Sequence, residues 1–561
     1  MNRSLEGISE IEYDVIIIGG GIYGVSAARD AAFRGLKVLL LEQGDFGHAT
    51  SSNSHKIIHG GLRYLQHGDL PRMRESIAER STLVRIAPHL VKPMPFLIPT
   101  YSHIGAKKLL LRVALAMNDC IAFDRNRHLP EPSQFPPSRI MSSRETLERG
   151  KIISSSQLTG GAYYFDAQVR NSERLILSLL QSAHEKGAVC LNYVRVSKLL
   201  TNHGSVWGVQ AEDIPGKTTL EIRAKCVVDC SGPWVNRLVP SETRSTTPGP
   251  LPLLKAVVLV TDLILEDVAL GVPGHSTYND TDAVINKGRR YFFIVPWRNR
   301  SLVGTFQTPY DGHPDEASVS EQEIDMQLEE VNASLQQTKI TRKHVQFVYW
   351  GLLPRNDGQG STHGDVQLSK HAVIYDHETQ SGIKGLISVS GVKFTTARAV
   401  SEKAINLVMT KLRRPSTRCT TATTPVYGGD FSSYEQVLQG ALARKPPSLS
   451  SDIVTHLVET YGSRFIEIFQ YIEENPELGT RLVADIPVSK AEVIHGIREE
   501  MAQTLSDIVF RRTELGTAGY LSDDGLLTCA NTMARELGWD EHQLRDEVSK
   551  TNADYRRRGV I

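Results

Sequence analysis

The chain has 561 residues, enough for more than one hydrophobic core, so two or three domains are expected. Its hydrophobic content of 40% and charged content of 22% exclude a disordered or fibrous chain. Lysine plus arginine balances aspartate plus glutamate at 63 each, so no overall field draws the chain to nucleic acid or acidic lipid, and any anion site has to be local.

The cysteines Cys120, Cys190, Cys226, Cys230, Cys419 and Cys529 include no CxxC pair. Buried thiols in a reducing compartment are expected, and no metal site. The N-terminal segment carries acidic residues where an export signal needs a continuous apolar run, which points to a cytoplasmic protein. The apolar stretches Leu109–Cys120 and Leu251–Val272 are interrupted by charge, so no membrane span is expected.

In chain order, YDVIII (Tyr13–Ile18) reads as a strand buried on both faces. It runs into Gly19-Gly20-Gly21-Ile22-Tyr23-Gly24, which fits G-x-G-x-x-G. A helix follows through VSAARDAAF, with Gly35 as its stop, and KVLLLE gives a second strand ending at Glu42-Gln43. Each part has a physical role. Gly19 permits the tight turn, Gly21 lets backbone approach a pyrophosphate, and Gly24 lets helix pack on strand. The helix start offers N–H groups to phosphate, and Glu42 can accept from a ribose. The unit predicts dinucleotide binding, with NAD and FAD both open.

Further strands are expected over Gly187–Leu200 and Gly204–Asp213, with Val196 placed to hold an adenine by its backbone. KCVVDCSGPWV (Lys225–Val235) is a late strand ending at Ser231-Gly232, as in FAD-binding folds. Between these units lies ATSSNSHKIIHGGLRYLQHG, too polar for a packed helix and too poor in turn residues for a plain loop.

With that segment added, the sequence resembles the FAD-dependent respiratory glycerol-3-phosphate dehydrogenases. The likeness continues through IAPHLVKPMPFLIP, GAYYFDAQV, CSGPWVNRL, RRYFFIVPWRNRSLVGT and GVKFTTARAVSEKAI, then through KAEVIHGIREEMAQTLSDIVFRRTELG and MARELGWD. The resemblance implies FAD, with Thr50, Ser51, Ser52 and Lys56 near its phosphates and ribitol. It implies His59, Gly60, Gly61 and Leu62 under the isoalloxazine, with Phe394 and Thr395 beside it. Arg63 and Tyr64 would face substrate, with Tyr64 holding or deprotonating its hydroxyl. Lys393 would be a fixed positive charge that stabilises an alkoxide or the reduced flavin.

The chain departs from the family around the substrate. Val258 stands where the family has a histidine, Leu353 where it has a phosphate-gripping arginine, and Lys370 where it has a second arginine. Phe306-Gln307 replaces Thr-Asp. Arg355, Lys370, Arg289 and Arg290 are candidate replacements for the lost charge, and His59 and His371 for the lost base.

Beyond about Tyr434 only helical patterns are read. The clearest is one helix over Ala491–Leu515, started by Asp485 or Ser489 and stopped by Gly516. SVSEQEIDMQLEEVNASL reads as a solvated acidic helix. The basic pair in FRRTELG is a candidate for docking the flavin domain, in a C-terminal unit otherwise expected to be packing alone.

The expected fold is α/β (α+β overall). A discontinuous FAD-binding domain (13–100, 150–250, 380–412) is interleaved with an antiparallel-sheet substrate domain (101–149, 251–379), and a helical domain follows (425–561). The expected activity is oxidation of glycerol 3-phosphate, or a close phosphorylated polyol, by hydride transfer to FAD, with electrons passed to a quinone or other acceptor. A dehydrogenase for another hydroxyl or amino substrate, and a non-catalytic flavoprotein, are the alternatives. Residues 104–123, basic and apolar, suit either a core helix or one lying at the cytoplasmic face of the inner membrane. No nucleic-acid partner is expected, and the oligomeric state is open, with a dimer as the candidate.

Overall fold

A computed structural model describes residues 1–102, 108–239, 249–277, 289–335, 338–356, 367–369, 371–415 and 417–561. Val15–Ile18, Val38–Leu41 and Val227–Asp229 are buried on both faces, as strands covered by helices must be. They belong to a six-stranded sheet ordered Val373–Asp376, Leu386–Ser390, Val227–Asp229, Val15–Ile18, Val38–Leu41, Val189–Leu191. All its pairings are parallel except that of Val373–Asp376 with Leu386–Ser390. Helices Ile22–Phe33, Ser172–His184 and Ala397–Lys411 pack with it into one core. The first of them ends where the sequence placed its stop, with Gly35 at φ +76°. A four-stranded sheet holds Glu12–Tyr13, Thr218–Ala224, Ser205–Asp213 and Val194–Asn202, the last two pairing antiparallel.

The substrate-side sheet has ten strands and is mixed, not purely antiparallel, because Ala269–Thr277 pairs parallel with Val91–Tyr101. Its order also departs from the expected domain limits. Ile57–Ile58 and nearly all of Val91–Tyr101, inside the flavin-domain limits expected from sequence, are strands of this sheet together with Leu158–Val169. Val373–Asp376, assigned to the substrate domain, extends the flavin sheet instead. The strand Val91–Tyr101 is hard to read because Pro93, Pro95 and Pro99 interrupt it. All three fall on alternate positions, so the intervening N–H groups still pair with Leu158–Val169.

The C-terminal region is mainly helical, with one small hairpin, Arg481–Val483 with Ile486–Ser489. The long helix expected over Ala491–Leu515 is broken. Lys490–Arg498 starts in a capping box of Ser489 and Glu492, but Met501 then takes φ +57°, and a short turn Leu505–Asp507 leads into a π-helical turn Ile508–Arg512. The break has a clear structural result. Arg511 donates to Asp45 at 2.5 Å, and Arg512 donates to both its oxygens at 2.7 Å. Arg174 of the flavin domain forms a two-oxygen ion pair with Glu500. Asp45, Glu500 and Arg512 have fully buried side chains, so the basic pair does dock the flavin domain. The flanking arginines hold the Asp45 and Glu500 carboxyls far below the usual carboxylate range despite burial.

Candidate active site

A cavity of about 730 Å³ runs from the end of Val15–Ile18, between the two large sheets, to the start of helix Leu70–Ile86. At one end the chain turns at Gly19 (φ +103°) into helix Ile22–Phe33, whose start, Gly21, has no side-chain cap. A Cβ on Gly24 would lie 1.8 Å from the Gly19 carbonyl, so only glycine lets this helix reach the strand. The Glu42 carboxylate accepts from Gly20 N–H at 2.6 Å and Gly44 N–H at 2.8 Å, which fixes it at the cavity wall. Ser51 Oγ accepts from Ile22 N–H at 3.0 Å, and Thr50 Oγ1 donates to the Leu352 carbonyl at 2.8 Å. These short contacts press the hydroxyl-rich loop against the helix start. The backbone around Val196, and Ser231-Gly232, complete this end.

The other end is made by long side chains. Tyr23 donates its hydroxyl proton to the Lys393 carbonyl at 2.9 Å, tying the first helix to the segment Gly391–Thr395. The Lys393 ammonium lies 3.9 Å from the Tyr64 ring centre, and the Arg72 guanidinium lies 4.4 Å from the same ring. Burial first, and then Arg72, bring the Lys393 ammonium down from 10.5 to about 7. Burial, with Arg72 beside the same ring, therefore works against the fixed positive charge expected from sequence at Lys393. His55 lines the same region. Burial lowers it to about 4, so its imidazole is neutral, with Nε2 3.4 Å from the Leu302 carbonyl and Nδ1 3.5 Å from Thr305 Oγ1.

Most of the residues named from sequence share this one cavity. Gly19, Gly21, Ile22, Tyr23, Glu42, Gln43, Thr50 and Ser51 line it, as do His59, Gly61, Leu62, Tyr64, Val196, Ser231, Gly232, Lys393, Phe394 and Thr395. Gly24 and Gly60 act from behind the wall, Gly60 by donating to Asp166 at 2.6 Å. Ser52 turns inward, bonding the Gly47 carbonyl at 2.5 Å. Lys56 does not face a cofactor. At φ +58° its side chain enters the core, where it meets the Glu173 carboxylate at 2.7 Å and the Tyr349 ring at 4.6 Å.

The candidate replacements fare worse. Arg355 pairs with Asp311 at 3.1 Å and does not line the cavity, so it leaves the place of Leu353 apolar. His371 is exposed beside Asp69, off the cavity wall. Arg63 and Arg289 lie on the backbone of Leu62–His67 and Arg289–Trp297, while Lys370 lies outside the described residues. Val258, Gln307 and Leu353 all line the cavity, so the positions expected from sequence to diverge surround one space.

The wall residues that were missed include His55, Arg72, Tyr164 and Asp166. His55 and the Tyr164–Asp166 pair stood inside quoted motifs, but nothing in their spacing separated them from core residues. Arg72 left no signal, because it enters from the first turn of a helix that the motif stops short of.

Glycines without side chains, an uncapped helix start and a fixed carboxylate fit a bound dinucleotide. The family model described as FAD dependent oxidoreductase matches residues 14–403, more than half of the chain. The chain belongs to the FAD-dependent oxidoreductase family. A second model, the C-terminal domain of alpha-glycerophosphate oxidase, matches residues 419–544. A curated glycerol-3-phosphate dehydrogenase of Synechocystis sp. is 34% identical over 555 residues, covering 98% of this chain and 97% of that protein. The mitochondrial glycerol-3-phosphate dehydrogenase of Bos taurus is 30% identical over 568 residues, covering 96% of this chain and 72% of that protein. Among solved structures, the Bacillus halodurans glycerol-3-phosphate dehydrogenase complexed with FAD superposes with a TM-score of 0.75. It has 25% identity, and the match covers 98% of this chain and 96% of that one. The expected family, mixed fold and FAD cofactor are thereby borne out, and NAD is set aside.

Proposed function

We propose that this FAD-dependent oxidoreductase oxidises glycerol 3-phosphate, or a close phosphorylated polyol, to the ketone. The reading rests on the similarity to proteins of that name along almost the whole chain, including the C-terminal region. The cavity supports it with two cationic side chains, Lys393 and Arg72, beside the Tyr64 ring, an arrangement suited to an anionic ligand carrying a hydroxyl. FAD, when bound, supplies the two-electron acceptor for a hydride. Gly19, Gly21, Glu42, Thr50, Ser51, Val196 and Ser231 would hold its nucleotide half, and His59, Gly61, Leu62 and Lys393–Thr395 its ring. Arg72 and Lys393 orient the phosphate, Tyr64 the hydroxyl, and His59 takes the hydroxyl proton.

One observation favours a second reading. Val258, Gln307 and Leu353 turn the strand-built wall neutral or apolar, which suits a substrate with fewer anionic contacts there, such as another hydroxylated or amino compound. Anaerobic mixing with FAD-loaded protein separates the two. Prompt bleaching of the flavin by glycerol 3-phosphate supports the first reading. Bleaching by unphosphorylated hydroxyl compounds or amines alone overturns it, and no bleaching by any of them leaves a flavoprotein without this chemistry.

The electron acceptor proposed is a membrane quinone. No helix of the described residues is long and apolar enough to cross a membrane. Helix Lys108–Ile121 packs Leu115 inward, yet leaves Val113 and Met117 exposed at 48% and 45%, and Phe123 beyond its end at 80%. Leu115 in the core and the exposed apolar side chains opposite it support a reading in which this helix lies against a bilayer surface. Met117→Asp is expected to lower sedimentation with anionic lipid vesicles while leaving turnover with a soluble dye unchanged. Equal sedimentation would remove the membrane from this reading.

A further inference from the structure

Strand Ile57–Ile58 pairs antiparallel with Leu158–Val169 in the register Ile57↔Gln168 and Ile58↔Ala167. The same register puts His59, the next residue, opposite Asp166. His59 lines the cavity with its side chain 48% exposed, whereas the Asp166 carboxylate is 4% exposed. The two carboxylate oxygens face different groups. Oδ1 accepts from Gly60 N–H at 2.6 Å and from the Arg80 guanidinium at 2.5 Å. Oδ2 lies 3.6 Å from His59 Nδ1. The His59 N–H donates to Thr395 Oγ1 at 3.2 Å, and the Phe293 ring stands 6.5 Å from the imidazole. With Nδ1 turned to a buried carboxylate, Nε2 is the nitrogen left for a ligand in the cavity.

We propose that Asp166 is a positioning residue: it holds His59 as the tautomer protonated on Nδ1, so that Nε2 accepts the substrate hydroxyl proton. The proposal rests on the alcohol oxidation proposed above. In that reaction the O–H bond breaks and an N–H bond forms on Nε2, while the carbinol C–H electron pair leaves as hydride to FAD, giving the ketone. The charged and titratable groups that face the pair are Arg80 from helix Leu70–Ile86, Tyr164 from the same strand as Asp166, and His55 from just before strand Ile57–Ile58. Arg80 already offsets much of the Asp166 charge. The carboxylate therefore acts mainly by fixing the tautomer and ring orientation, and less by strengthening the base.

This division of the oxygens makes Asp166→Asn a sharp test in the FAD-loaded full chain. Two donors converge on Oδ1, so the amide oxygen takes that place and the amide NH2 points at His59. Its Nδ1 must then accept, and the proton moves to Nε2. Flavin content and KM are expected to stay near wild type. The rate of flavin reduction by glycerol 3-phosphate is expected to fall on the order of 100-fold or more, with loss of the acid limb of its pH profile. The ¹⁵N spectrum of histidine-labelled wild type, with the His59 signals identified by their loss in His59→Gln, should show the Nδ1–H tautomer. Asp166→Asn should show Nε2–H. Reduction within about threefold of wild type with an unchanged pH profile, or an Nε2–H signal for His59 in the wild type, overturns the proposal. The wild-type spectrum decides even where Asp166→Asn does not fold. Failure of glycerol 3-phosphate to reduce wild type while His59 is Nδ1–H sinks the substrate and leaves the pair standing.

Discussion

The two ends of the cavity are built in opposite ways. The nucleotide end is mostly backbone: glycines, an uncapped helix start, and one carboxylate held by two N–H groups, nearly all within residues 19–52. The reacting end is mostly side chains brought from afar: His55 and His59, Arg72, Asp166, Val258, Leu353 and Lys393, carried on different strands, helices and loops. The first end depends on what is missing, namely Cβ atoms. The second depends on which large groups are present. A protein of this family can therefore keep the first end while changing the second, which is the change expected from sequence at positions 258, 307 and 353.

If that contrast is right, the largest effect should come from adding atoms at the nucleotide end. Gly24→Val places carbon within 1.8 Å of the Gly19 carbonyl oxygen, so purified protein should carry essentially no flavin by absorbance. Retained FAD would mean that the close helix–strand approach is not what holds the cofactor. Next in size is the clasp behind that end. Arg512→Met leaves Asp45 with Arg511 and the Asn192 amide and strips both guanidinium donors from the buried Glu500 carbonyl. Breaking a buried pair in this way costs about 3–5 kcal/mol, to be read from urea midpoints.

At the reacting end, restoring a guanidinium should alter affinity without touching the cofactor. Leu353→Arg is expected to lower the KM for glycerol 3-phosphate about tenfold, equivalent to about 1.4 kcal/mol, at unchanged flavin content. No change would place the phosphate elsewhere in the cavity.

The smallest effect concerns Lys393, whose folded value of about 7 lies below the 10.5 of free lysine. Below pH 7 both folded and unfolded chains hold this proton, and the full burial penalty is paid. Between about 7 and 10.5 the unfolded chain binds it more, so stability rises with pH from this group. In FAD-stripped protein, Lys393→Met should therefore gain stability at pH 6 and gain less at pH 9. Equal gains at both would mean that the lysine is not desolvated.

What was legible in the sequence follows the same division. Tyr13–Gln43 could be read in order because strand, glycines, helix and acid lie within reach of one another along the chain. Ser489 could be read as a helix start because its partner Glu492 is three residues away. Asp166 could not be assigned, since its role exists only through a strand register with residues 57–58. Lys56 misled for the opposite reason. It sits inside a cofactor motif, yet its backbone conformation sends the side chain to Glu173. The helix expected over Ala491–Leu515 failed because its apolar spacing continues through a break that serves Arg511 and Arg512, and charge rather than periodicity sets that geometry.

The Arg512–Asp45 contact joins residues 467 apart in the chain. Asp45 stands just after Glu42 and Gly44, the residues that shape the nucleotide end. On a ribosome, the glycine turn and first helix emerge early, but the loop behind them keeps a solvated carboxylate until almost the last tenth of the protein has been made. Burial of Asp45 and completion of the C-terminal region thus become a single late event of biosynthesis. A nascent chain cut short before residue 511 carries the whole dinucleotide motif and still lacks the counter-charge that lets Asp45 leave water.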